Sequence, residues 1–113
     1  MDEQNVREHA QAHCEALLAG DIGRASQDMS PELVSHMGPI VAMLPLPLRE
    51  ATVEQIRMTG TAYSALLRLT GEGGETVHLE TRWKDRDGRP TIIEASRQAE
   101  EPAAPTEAEP EAE

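Results

Sequence analysis

"ETVHLETRWKD", residues 75–85, alternates with a period of two: Val77, Leu79, Thr81 and Trp83 fall on one side of an extended chain, His78, Glu80, Arg82 and Lys84 on the other. A helix would scatter the two sets around its circumference, whereas a strand separates them. The stretch therefore predicts a half-buried strand with its apolar set turned to a core. The same alternation recurs on either side. In "AYSALLRLTG" (62–71) Tyr63, Ala65, Leu67 and Leu69 share a face, "TIIEASRQ" (91–98) reads as a last strand with Ile93 inward, and "ATVEQIRMTG" (51–60) as a first one with Ile56 or Met58 inward. "EGGE" (72–75) and "DRDGRP" (85–90) carry the Gly, Asp and Pro chemistry of tight turns. Four strands joined by such short turns predict an antiparallel meander with one apolar face and one wet face, on which Arg68, Glu80, Arg82 and Glu94 are available for cross-strand pairing.

Upstream the period changes. Residues 3–19, which include "REHAQAHCEALLAGD" (7–21) up to Ala19, contain no Gly or Pro and are rich in helix formers, with Asp2 as N-cap and Gly20 as the stop. At 100° per residue from Val6, Ala10 falls at about 40°, His13 at about −20°, Leu17 at about 20° and Cys14 at about 80°. This is an amphipathic helix with His13 in the middle of its buried stripe. A short turn from Asp21 to Ala25 follows, and "SPEL" (30–33) places Ser30 as N-cap and Pro31 at the first position of a helix to Met37. Residues 39–48 form an apolar connector with one helical turn at "PIVAM". The fold class expected is α+β, N-terminal helices packed on a four-stranded antiparallel sheet.

From Ala99 onward, "AEEPAAPTEAEPEAE" holds six glutamates, three prolines, no basic residue and no large apolar side chain, so it has nothing to bury. It reads as a disordered acidic tail, 99–113, behind a domain of residues 1–98. That domain keeps 15 acidic against 10 basic side chains. An acidic body lacks the cationic stripe that displaces counterions from a phosphate backbone, so no nucleic-acid partner is expected; Arg82, Lys84, Arg86 and Arg89, interleaved with Asp85 and Asp87, read as a solvated hairpin tip. The longest apolar run, "IVAMLPLPL" (40–48), is too short and too proline-broken to span a bilayer. A single cysteine, and an opening "MDEQNVREH" without basic and apolar signal regions, lead to the expectation of a cytoplasmic protein with no intrachain disulfide. Nine arginines to one lysine, with abundant alanine, suggest a bacterium of GC-rich genome. Only 20 Leu, Ile and Val side chains and no Phe make a modest core, for which a homodimer is the natural remedy.

"CEALLAGD" at the end of the first helix, the following "SPELV", and the late "TRWKDRDGRPTIIEAS" resemble, in order and spacing, the nuclear-transport-factor-2-like, or cystatin-like, superfamily over residues 5–98. The resemblance implies a cone, in which the first helix lies in the hollow of a strongly curved sheet. It does not imply one activity. The superfamily includes ketosteroid isomerases, scytalone dehydratase, limonene-epoxide hydrolase and polyketide cyclases beside pocketed proteins without catalysis. An isomerase of that type needs a strand aspartate as base and a tyrosine with a protonated aspartate as oxyanion donors; here Asp2, Asp21, Asp28, Asp85 and Asp87 all fall at helix ends or turns, and the first helix has no tyrosine.

The residues themselves offer a ligand pocket of His13, Leu17, Tyr63, Leu67, Leu79 and Trp83, in which His13 and Tyr63 are the candidate catalytic groups and Glu54 could join them. Against this, Tyr63 and Trp83 can simply fill the hollow. Met37, Met43 and the "LPLPL" segment are candidates for a pocket mouth. His9 and His13 are one turn apart, but "HAQAH" lacks the Glu of the zincin pattern and no second ligand cluster is present, so neither metal nor other cofactor is expected. Cys14, well inside its helix, reads as a buried thiol without activation. The function expected is a small-ligand pocket or protein-interaction module, forming a homodimer and binding at most a small apolar ligand. The alternatives are a lyase or isomerase acting on an apolar molecule with His13 handling the proton, and an acidic adaptor that meets a basic partner.

Overall fold

The structure is a computed structural model that describes residues 1–98; the expected disordered tail, 99–113, lies outside the described residues. The chain forms α1 (Glu3–Leu18), α2 (Ile22–Ser26), α3 (Pro31–Val34), α4 (Met37–Ala42), β1 (Leu48–Thr59), β2 (Ala62–Gly71), β3 (Thr76–Arg86) and β4 (Arg89–Arg97). The strands make one open antiparallel sheet in the order β1-β2-β3-β4. The fold is therefore α+β, helices against one face of a meander sheet, and no helix among the described residues is long and apolar enough to cross a membrane.

Local chemistry sets the helix ends. The Asp2 side chain accepts from the Asn5 amide at 2.8 Å, Asp21 from the Arg24 amide at 3.0 Å, and Ser30 from the Leu33 amide at 3.2 Å. Gly20, at φ 74°, takes the left-handed conformation that lets the chain leave α1. The helix expected to run to Met37 stops at Val34, and a separate α4 of six residues begins at Met37, longer than the single turn expected at 39–43. β1 opens at Leu48, three residues before the expected start.

α1 packs mainly on β1 and also touches β2 and β4. Its buried stripe is Val6, Ala10, His13, Cys14, Ala16 and Leu17. Facing it in register are Leu67 opposite Leu79, Leu69 opposite Val77, and Tyr63 opposite Trp83, all on one side of the sheet. Trp83, Leu67 and Leu69 are wholly buried. At about 1.5–3 kcal/mol per buried large apolar side chain, these few residues supply most of the drive to close α1 onto the sheet.

Two β-bulges change the expected faces. On β4 the register shifts opposite Arg82 and Trp83, so Ile92, not Ile93, pairs with Trp83 and enters the core, 1% exposed. On β1 a shift between Val53 and Gln55 turns Glu54 to the outer face, where its carboxylate lies 3.4 Å from His78 Nε2. An extra residue breaks the period of two, and strict alternation does not reveal where it sits. Outer-face pairing is otherwise partly as expected: Arg82 meets Glu94 at 3.7 Å, while Glu80 accepts from the Gln98 side chain at 2.7 Å.

The turns are rigidly specified. Asp87 and Gly88, at φ 56° and 80°, make the tight β3–β4 turn. The connector ahead of β1, which contains a cis Leu46–Pro47 bond, lies against the end of β2. Glu72 N donates to Pro47 O at 3.0 Å, and a Cβ on Gly71 would collide with the Pro45 carbonyl oxygen.

Candidate functional site

The most concentrated polar chemistry in the interior is a cluster around Asp28, in the turn between α2 and α3. Asp28 is 1% exposed. Its Oδ2 accepts from His13 Nδ1 at 3.0 Å and from Arg24 Nη1 at 3.2 Å, and its Oδ1 accepts from Arg89 Nη2 at 3.0 Å. Three elements, α1, α2 and β4, thus donate to one carboxylate. The backbone fixes it from a fourth direction: Ile92 N donates to Asp28 O at 2.7 Å, Ser30 N donates to Ile92 O at 2.9 Å, and Met29 bridges Ile92 in parallel.

Burial alone would raise the Asp28 carboxyl. The hydrogen bond from His13, the charges of His13 and Arg24 and the bond from Arg89 outweigh it and hold the group below its ordinary value. Asp28 is therefore an acceptor, and His13 Nδ1 carries a proton. Nε2 of His13 has no hydrogen-bond partner among the described residues. The imidazole stands edge-on to the Trp83 indole, ring centres 6.2 Å apart and planes at 89°. Trp83 Nε1 in turn donates to Thr81 Oγ1 at 2.9 Å, and Thr81 donates to Ala65 O at 2.9 Å, so the indole is satisfied inside the core.

Of the six residues expected to line a pocket, five come together as packed core: His13, Leu17, Leu67, Leu79 and Trp83 are each at most 2% exposed. Tyr63 shares their face but is half-buried at its edge, and its hydroxyl makes no hydrogen bond among the described residues. Glu54 does not join them, because the β1 bulge sends it to the far side of the sheet. Met43, Leu44 and Leu46 pack against the core. Cys14 is buried, and desolvation, helped by the charge of Glu15, pushes its thiol up to about 12, so it is protonated and unreactive at neutral pH. His9 Nδ1 is engaged with its own helix, donating to Asn5 O at 2.9 Å. Among the described residues no three His, Cys, Asp or Glu side chains are grouped to hold a metal ion.

A His–Asp pair of this geometry is half of a proton relay, but a relay needs a reacting group within hydrogen-bond reach of Nε2. Here His13 is 1% exposed, out of reach of a group in solvent. The arrangement does a different job: it ties three elements to one buried carboxylate, from the outside through the half-exposed Arg24 and Arg89.

Sequence reading missed Asp28, Arg24 and Arg89. The four-residue spacing of Arg24 and Asp28 was the one available signal, and it usually marks an exposed helix pair. Arg89 is exposed, as a solvated hairpin tip has it, and its guanidinium also reaches back from β4 to the buried carboxylate, while Arg86 from the same hairpin meets Glu32 at 3.4 Å.

Open depressions lie away from Asp28, one of them, of about 410 Å³, between α1 and β1 and lined by Gln11, Cys14, Glu15, Ala51, Thr52 and Val53. A trough of about 250 Å³ on the outer sheet face is lined by Thr59, Ser64, Glu80, Arg82, Glu94 and Ser96. An apolar groove of about 400 Å³ lies beyond the end of α1, between Leu18, Ile22, Leu46, Pro47, Leu48 and Glu72. Comparison with known protein families and with curated proteins finds nothing that matches this chain.

Proposed function

We propose that this protein is a non-catalytic interaction module of the nuclear-transport-factor-2-like type, a cone plugged by α1, that pairs with a second copy through the outer face of its sheet. The order of one long helix, short helices and a meander sheet supports the kinship. The observation that carries the functional reading is the occupied inner face: the residues that would line a pocket fill it instead. His13 as a proton-handling residue would need a substrate at Nε2, and the residue is 1% exposed. A small apolar ligand would have to displace Leu17, Leu67 or Leu79 from near-complete burial.

The outer face supports self-pairing through its rows. Strand register sets Arg57, Ser64, Arg82 and Glu94 side by side from β1 to β4. A two-fold axis along the strands, between β2 and β3, lays β1 over the partner's β4, so that Arg57 of each copy meets the partner's Glu94. Four strands at about 4.8 Å spacing and about 30–40 Å length give an interface of about 1,300 Å² in total, within the range of specific complexes. Sedimentation tests the pairing. Wild type is expected as a dimer at tens of micromolar, Arg57→Glu and Glu94→Arg each as monomers, and the double exchange as a dimer again. A wild-type mass near 12.3 kDa at that concentration would sink the reading.

A further inference from the structure

The groove beyond α1 is independent of the outer face, and we infer that it docks a cationic amphipathic segment of another protein, an apolar side chain flanked by Lys or Arg. Its floor is apolar, and Leu18 stands 42% exposed at its edge although it belongs to the best-packed helix of the molecule. Its walls are pre-formed: Glu72 N bonds to Pro47 O at 3.0 Å, and Gly71 packs so closely on Pro45 that no side chain fits between them. Pre-formed walls spare a ligand the entropy of ordering them.

The charge at the groove selects the sign of the occupant. α1 ends here with no basic residue in its last turn; its carbonyls at Glu15, Ala16 and Leu17 are met by the Ala19, Asp21 and Gly20 amides, so the charge at the groove comes from Glu72. Glu72 puts a full negative charge on the opposite wall, and no Lys or Arg lines the groove; Arg49, next to Leu48 in the chain, is not among the lining residues. The net charge of −11 for the whole chain draws cationic partners toward the protein. The chain's own acidic tail fits neither requirement, having no large apolar side chain and the wrong sign. On the chain itself that chemistry occurs exposed at Arg57–Met58, Met58 being 62% exposed at the far end of β1, so a second copy could reach the groove only head to tail.

The test uses the full chain and two synthetic peptides, acetyl-Lys-Leu-Leu-Arg-amide and acetyl-Glu-Leu-Leu-Glu-amide. Amide shifts on titration with the cationic peptide should concentrate at Leu18, Ile22, Leu46, Leu48 and Glu72, and the acidic peptide should leave them still. Glu72→Lys should weaken the cationic peptide about tenfold, and Leu18→Ser, which removes part of the apolar wall, should weaken it as well. Both positions are exposed, so the fold survives, and a Glu72→Lys chain that still dimerises separates this result from that of the outer face. Shifts spread evenly over the acidic surface, or equal affinity in Glu72→Lys, would overturn the inference. So would occupation by a second copy, seen as head-to-tail growth that Met58→Gln abolishes.

Discussion

Replacing Asp28 by alanine would leave His13 Nδ1 and two guanidinium groups without their shared acceptor. The guanidiniums are 40% and 50% exposed and can turn to water, so the loss comes mainly from the buried His13 Nδ1 left without an acceptor, and about 1–3 kcal/mol is expected in chemical denaturation. Asp28→Asn keeps the shape but not the charge, so its deficit relative to wild type should depend on pH. Because the folded carboxyl titrates below its ordinary value of 3.8, its contribution is fully present above that value and is lost as pH falls through it toward the lower folded value. The gap between wild type and Asp28→Asn should close in that acid range and stay constant near neutrality. None of this was legible in "SQDMS": an aspartate in a turn looks the same whether solvent or a histidine fifteen residues away receives it. His13 was legible because its own helix has a period, and Asp28 was not because its turn has none.

Among the elements, the strands declared themselves by alternation and the bulges did not. Val77, Leu79 and Trp83 needed only a period of two to be placed, whereas Ile92 and Glu54 each sit beside an inserted residue whose position depends on contacts with the neighbouring strand. Pairing of β2 with β3 is free of such shifts and should be the most sensitive to lost volume. Leu67→Ala at its centre is expected to cost about 2–5 kcal/mol, measured as a shift in denaturation midpoint at unchanged slope. At the end of the same strand, Gly71→Ala forces a methyl group against the Pro45 carbonyl and should cost about 1–3 kcal/mol by overpacking. An ordinary exposed glycine such as Gly73, with open space around it, should accept alanine with little change.

At the scale of the whole molecule, the burial of His13, Leu17, Leu67, Leu79 and Trp83 predicts that apolar ligands do not enter between them. On titration with a panel of small hydrophobic molecules the amides of His13, Leu67, Leu79 and Trp83 should keep their positions, and a compound that shifts them would return weight to a pocket between α1 and the sheet. The arrangement of helices on one face of a meander was readable from periodicity and turn chemistry alone. Which face is free to meet another molecule was not, because that depends on how completely the core side closes, and volume is invisible to pattern.

The backbone contacts of Ile92 carry a further implication for solubility. Strand-by-strand growth into fibres requires an unbroken ribbon of free amides and carbonyls along a sheet margin. On β4 that ribbon is interrupted, since residues 28–30 already occupy both polar groups of Ile92. The opposite margin, β1, is kinked by two register shifts and studded with Arg49, Glu50, Glu54 and Arg57. The small segment that anchors Asp28 therefore doubles as a guard against runaway stacking, and loosening it should show first as precipitation, ahead of any loss of binding.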